Sequence, residues 1–163
     1  MRSLWPSNMR NWPASLSAMV IIAILLSVEV NSQATSRKGE EDPDSRPPLT
    51  RADLEIVQRA QEILDTPAKW NRADTRVCPP DAQTYSIYCA LQKATVEVMG
   101  EFKHRGGAMQ EMRFVIDEIA PNHDKYHHRL MDYNNDPTTT FEDVRKAFML
   151  LEQRIVKQLS GGK

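Results

Sequence analysis

The sequence predicts an all-α protein: a small compact bundle of four main helices plus one short helix, after a signal peptide and a disordered tether. Three observations carry that expectation. Apolar residues recur at steps of three and four in several separate stretches. No stretch alternates convincingly with the period of two that a half-buried strand needs. Pro and Gly punctuate the periodic stretches at Pro67, Pro79-Pro80, Gly106-Gly107, Pro121 and Gly161-Gly162. A chain of 163 residues has room for one domain. The expected division is a signal peptide over 1–34, a flexible linker over 35–48 and a helical domain over 49–160.

The first stretch reads as an export signal. Arg2 and Arg10 make a positive start, and Leu16 to Val28 is an apolar run that Glu29 ends. Ser32-Gln33-Ala34 then places small residues at the two positions a signal peptidase reads, so cleavage is expected after Ala34. The rival is an uncleaved membrane anchor, but about 13 apolar residues are short of the roughly 20 that a span requires. The next residues, TSRKGEEDPDSRPP over 35–48, have no large apolar side chain to bury and read as a tether. The chain carries 21 Lys and Arg against 22 Asp and Glu. That balance gives no global attraction to nucleic acid, and membrane contact is expected only if the signal segment stays uncleaved. The address implied is the periplasm or the medium.

The helices follow in order. Thr50 with Asp53 three residues on makes a capping-box variant ahead of Leu54, Val57, Ala60, Ile63 and Leu64, and Pro67 ends that helix. Trp70 to Pro80 has no period and reads as a loop. Asp81 is the expected cap of a second helix, with Tyr85, Tyr88, Cys89, Leu91, Val98, Met99 and Phe102 inward and Gly106-Gly107 as its break. A third is expected from about Ala108 to Ala120, burying Met109, Met112, Val115, Ile116 and Ile119. A short helix is expected over His123 to Asp132. The last is the clearest: Thr139 as cap with Glu142 bonding back, then Phe141, Val144, Phe148, Leu151, Ile155 and Leu159 on one stripe.

Three short segments carry a resemblance. Tyr88-Cys89-Ala90-Leu91, then Tyr133-Asn134 with Pro137, then Thr140 to Val144 resemble a bacterial family, domain of unknown function 6197, over roughly Leu54 to Ile155. Members of that family typically show an aromatic-Asn-Asp turn before the last helix, where this chain has Asn135 in the third place. A Gly often follows the Cys-Ala-Leu, where this chain has Gln92. The resemblance implies no established activity and no catalytic residues.

Cys78 and Cys89 are the only cysteines, and an even count in an exported chain favours a disulfide. Closing a loop of about a dozen residues contributes on the order of 3 kcal/mol in the chain-entropy account. His123, His127 and His128 cluster with Asp124 and Asp132. On a helix, His123 and His127 would share a face, as would Asp124 and His128, and such pairs can grip a metal. The plainer reading is a solvated polar face, since no third ligand is evident and H-E-x-x-H is absent. Asp132, Asn134, Asp136 and Asp143 fall at positions 1, 3, 5 and 12 of a calcium-loop spacing, with Thr138 and Thr140 at 7 and 9. Against it, Pro137 stands where that loop needs Gly, and Asp143 is shorter than the usual Glu. A turn followed by a helix cap accounts for the same residues. Lys103-His104-Arg105 is a basic run expected at a helix end, where cations suit the dipole.

No Gly-rich phosphate loop, no G-x-S-x-G and no catalytic constellation is present, and no organic cofactor is expected. The first expectation is therefore a non-catalytic exported module that binds another protein or a small ligand. A metal- or calcium-binding protein built on 123–143 is the second. An enzyme or toxin whose site assembles only in the fold is the third.

Overall fold

A computed structural model of the chain describes residues 44–161. The expected signal peptide, and the expected linker up to residue 43, lie outside the described residues. Five helices follow: α1 (Arg51–Ile63), α2 (Ile87–Met99), α3 (Gly107–Ile119), α4 (Arg129–Asn135) and α5 (Phe141–Gly161). Four are of 13 residues or more and α4 has seven, so the expected count of long and short helices holds. Among the described residues there is no strand, only a single parallel bridge between Trp70 and Tyr85. No described helix is long and apolar enough to cross a membrane.

The core is one cluster. α1 packs on α2 and α5, and α3 packs on α5 and α4. Val57, Ala60, Leu91, Met112, Ile116, Val144, Leu151 and Ile155 are wholly or almost wholly enclosed. Phe148 is 2% exposed at the middle of the α5 stripe, as its spacing predicts. Met99 departs from expectation and is exposed, because α2 ends there.

Caps set the boundaries. Thr50 and Asp53 form the expected capping box, with Asp53 Oδ2 accepting from Thr50 N at 2.8 Å. Asp53 also reaches across the bundle: its Oδ1 accepts from Ala108 N at 2.8 Å, in the first turn of α3. One carboxylate thus serves the positive ends of two helices. Its closeness explains Gly107, since a Cβ there would sit 2.6 Å from Asp53 Oδ1.

Four boundaries differ from the sequence expectation. α2 starts at Ile87 rather than after Asp81. Its cap is Ser86, which accepts from Cys89 N, because Tyr85 is engaged in backbone bonds with Lys69 and Asn71. α2 ends at Gly100, whose φ of 78° is the left-handed C-cap conformation that glycine adopts without strain, so Phe102 and Gly106 lie beyond it. His123 to Asp132 is not one helix. A single 3₁₀ turn (His123–Lys125) precedes α4, whose start is set by Asp132 Oδ2 accepting from His128 N at 2.7 Å. The cap of α5 is Thr140 with Asp143, one residue later than Thr139 with Glu142: Asp143 Oδ2 accepts from Thr140 N at 2.9 Å and Thr140 Oγ1 from Asp143 N at 3.2 Å. Thr139 is buried, and its carbonyl accepts from Arg72.

The last linker residues lie against the domain. Arg46 stacks over the Phe114 ring at 3.7 Å, and Asp44 accepts from Arg129 at 2.8 Å. The guanidinium over an aromatic face supplies what the missing apolar side chains could not.

Candidate functional site

The segment between α1 and α2 is irregular yet firmly placed. Its ends meet at the Trp70–Tyr85 bridge, and its middle docks on α4 through two asparagines. Asn134, fully buried, accepts at Oδ1 from Trp70 Nε1 (2.9 Å) and from Ile87 N (3.1 Å), and donates from Nδ2 to Asn71 O (2.9 Å). Asn135 accepts from Asp74 N (2.7 Å) and donates to Asp74 O (2.9 Å). An Asp at 135 would lose that second bond. Arg72 adds bonds to the carbonyls of Asp136, Pro137 and Thr139. Cys78 and Cys89 stand at disulfide distance, their Cα atoms 5.4 Å apart, and tie the segment to α2.

That docking aims Arg76. Its φ of 59° is the left-handed region, which costs a non-Gly residue on the order of 1 kcal/mol. Asp74 Oδ1, accepting from Arg76 N at 2.6 Å, and the crosslink at Cys78 hold it there. Arg76 then borders a cleft of about 290 Å³ together with Arg105 from the turn before α3, Arg113 of α3 and Arg129 of α4. His104, His127, His128 and the rings of Tyr88 and Tyr126 complete its polar wall. Among the described residues, no carboxylate lines it. Two acids pair with Arg129, Asp117 at 3.1 Å and Asp44 at 2.8 Å, and Asp74 is buried with its Oδ2 lacking a hydrogen-bond partner.

The electrostatics follow from that census. Burial, and then Arg105, Arg129 and Arg76, hold the Arg113 guanidinium down to about 10. Its hydrogen bonds go to neutral groups: Gln110 Oε1 at 2.6 Å, and His104 Nε2 and O at 3.2 Å each. A half-buried cation among cations, with no acid among the described residues bonded to it, gains most from an anion. Burial also pushes the Tyr88 phenol up, so it stays a donor at neutral pH.

The residues singled out in sequence are divided by the structure. His127 and His128 line the cleft, but as consecutive residues ahead of α4, so the one-face pairs His123–His127 and Asp124–His128 do not form. His123 sits exposed in the 3₁₀ turn. Asp132 and Asn134 lie within α4 rather than on a loop, the first capping it and the second holding the 70–86 segment. Asp136 accepts from Thr138 N and Oγ1, which hold it below the usual carboxylate range, and from Tyr126 Oη. Asp143 is held low in the same way by Thr140. Among the described residues, no three His, Cys, Asp or Glu side chains gather as a metal ion would require. Lys103-His104-Arg105 is not at a helix end, since α2 stops at Gly100; His104 and Arg105 turn into the cleft instead. Sequence reasoning missed Arg76, Arg113, Arg129 and Tyr88, and their separation along the chain carries no local signal.

No curated protein and no solved structure matches the chain. The profile of a family described as Family of unknown function (DUF6197) matches residues 48–153, which take in the asparagine-docked segment, the cysteine pair and the arginine cleft. The chain belongs to that family.

Proposed function

We propose that this domain is an exported, non-catalytic binding module whose ligand is a small anion taken up in the arginine cleft. The observation that carries the reading is the meeting of Arg76, Arg105, Arg113 and Arg129 around one cavity whose lining, among the described residues, holds no carboxylate. Arg113 supports it further, because a cation whose pKa is lowered by its surroundings makes the unliganded protein less stable than it would otherwise be. Groups shifted in this way cluster at functional sites. The cavity is at the small end of the ligand-pocket range, suited to a compact anion rather than a large apolar ligand.

Amide-resolved NMR titration at low salt is the test, with inorganic phosphate, a simple phosphate monoester and acetate as probes. Saturable shifts are expected at Arg113, His127 and His128. Arg113→Gln is expected to weaken binding at least tenfold, since a hydrogen bond to a charged group contributes about 1.5–3 kcal/mol. Absence of saturable shifts with every probe, or equal binding by the variant, overturns the reading.

Export rests on the positive start, the apolar run and Ser32-Gln33-Ala34, and a crosslinked cysteine pair is compatible with it. Mass spectrometry of the protein from its native host is expected to find Thr35 as the first residue. A soluble cytoplasmic form that keeps Met1 would contradict export.

A further inference from the structure

We infer that the arginine cleft is a phosphoryl site, in which the Tyr88 hydroxyl, aimed by His104 and Arg113, donates a hydrogen bond to a phosphoryl oxygen. This rests on the anion-binding reading above and adds the chemical class of the ligand and the residue that selects it.

The donor chain is dictated by what each group can do. A guanidinium only donates. Arg113 Nη2 lies 3.2 Å from His104 Nε2, so that nitrogen must present its lone pair. A neutral imidazole then carries its proton on Nδ1. His104 Nδ1 lies 3.4 Å from Tyr88 Oη, so the ring donates and the phenol oxygen accepts. Arg113 fixes the imidazole at a second point by donating to His104 O at 3.2 Å. Ring packing fixes the rest: Phe102 meets Tyr88 edge-on at 6.0 Å and meets His104 in the same way at 6.2 Å.

With its oxygen taken as acceptor, Tyr88 keeps its own hydrogen for another partner, and the residue borders the cleft. The cavity therefore offers a neutral, directional O–H donor among diffuse positive charges. A halide answers the charge but gains little from a directed donor. A carboxylate presents its two oxygens in one plane. A phosphoryl group presents three terminal oxygens in three directions, and the lining donors stand on three separate parts of the fold: Arg76 on the docked segment, Tyr88 on α2 and Arg113 on α3. Its second charge also suits a site with several cations.

The test uses the oxidised protein, wild type and Tyr88→Phe, titrated with inorganic phosphate, glycerol phosphate, acetate and chloride. Wild type is expected to bind the two phosphates at least tenfold more tightly than acetate or chloride. Tyr88→Phe is expected to lose about tenfold for both phosphates and nothing for chloride, with its melting temperature within a few degrees of wild type. The ranking of the two phosphates then tells a free phosphate from an ester as the source. Nitrogen-15 NMR of His104 gives a reading that needs no variant: a protonated Nδ1 and a bare Nε2 are expected. Equal phosphate binding by Tyr88→Phe, acetate bound as tightly as phosphate, or the opposite tautomer each overturns the phosphoryl assignment while the anion cleft stands. Failure of every anion to bind removes both.

Discussion

Asn134→Ala is expected to cost about 3–5 kcal/mol, a large share of the roughly 5–15 kcal/mol that holds a small domain together. The side chain has no exposed surface and meets three groups: the buried Ile87 amide at the first turn of α2, and the half-buried Trp70 indole N–H and Asn71 carbonyl. Leaving a buried donor or acceptor unsatisfied costs about 1–3 kcal/mol each, less than additively for neighbours. Asn134→Asp separates the contributions. It keeps an acceptor for Trp70 and Ile87 but cannot donate to Asn71, so its urea midpoint is expected between those of wild type and Asn134→Ala. The damage is expected to localise. Trypsin should cut after Arg72 and Arg76 faster in Asn134→Ala under native conditions, since their segment loses its anchor on α4. A midpoint within about 1 kcal/mol of wild type, with no change in cleavage, would show that the segment holds itself in place.

Phe148→Ala is expected to cost a similar roughly 3–5 kcal/mol for a different reason. No polar group is orphaned; a cavity opens at the centre of the longest helix. α5 has 21 residues, about 31 Å at 1.5 Å each, and packs on both α1 and α3. A hole beneath Phe148 therefore loosens both contacts at once. Lys146, exposed two residues earlier, is the control and should tolerate Ala within about 0.5 kcal/mol. Urea melts of the pair decide the matter: equal, small shifts would mean that the stripe is not core.

These two residues differ in how much of their role could be read in advance. The Phe148 stripe was legible because a helix brings residues three and four apart onto one face, so burial of one predicts burial of the next. The capping box at Thr50 and the pairing of Cys78 with Cys89 belong to the same class, with partners close along the chain. Asn134 was visible as part of a motif, but its spacing from Asp132, Asp136 and Asp143 suggested an ion. In the structure the same oxygens and amides serve the backbone: Asp132 at the start of α4, Asp143 at the start of α5 and Asn134 across to residues 70–87.

What the sequence determined by itself is thus the all-α class, the count of four long helices and one short one, and the short crosslink. All of these are set by neighbours a few positions away or by the lack of any competing period. The tertiary structure alone decided the choice of Thr140 over Thr139 as cap, since that depends on Thr139 being buried beside Arg72. It alone decided the cleft as well. Arg76, Arg113 and Arg129 lie on a docked loop and two separate helices, and they face one cavity only because Asn134, Asn135 and the Cys78–Cys89 link bring that loop to the ends of α2 and α4. Charge clustering of that kind is a property of the folded surface, because Coulomb forces act through space and sequence spacing does not record which distant residues share it.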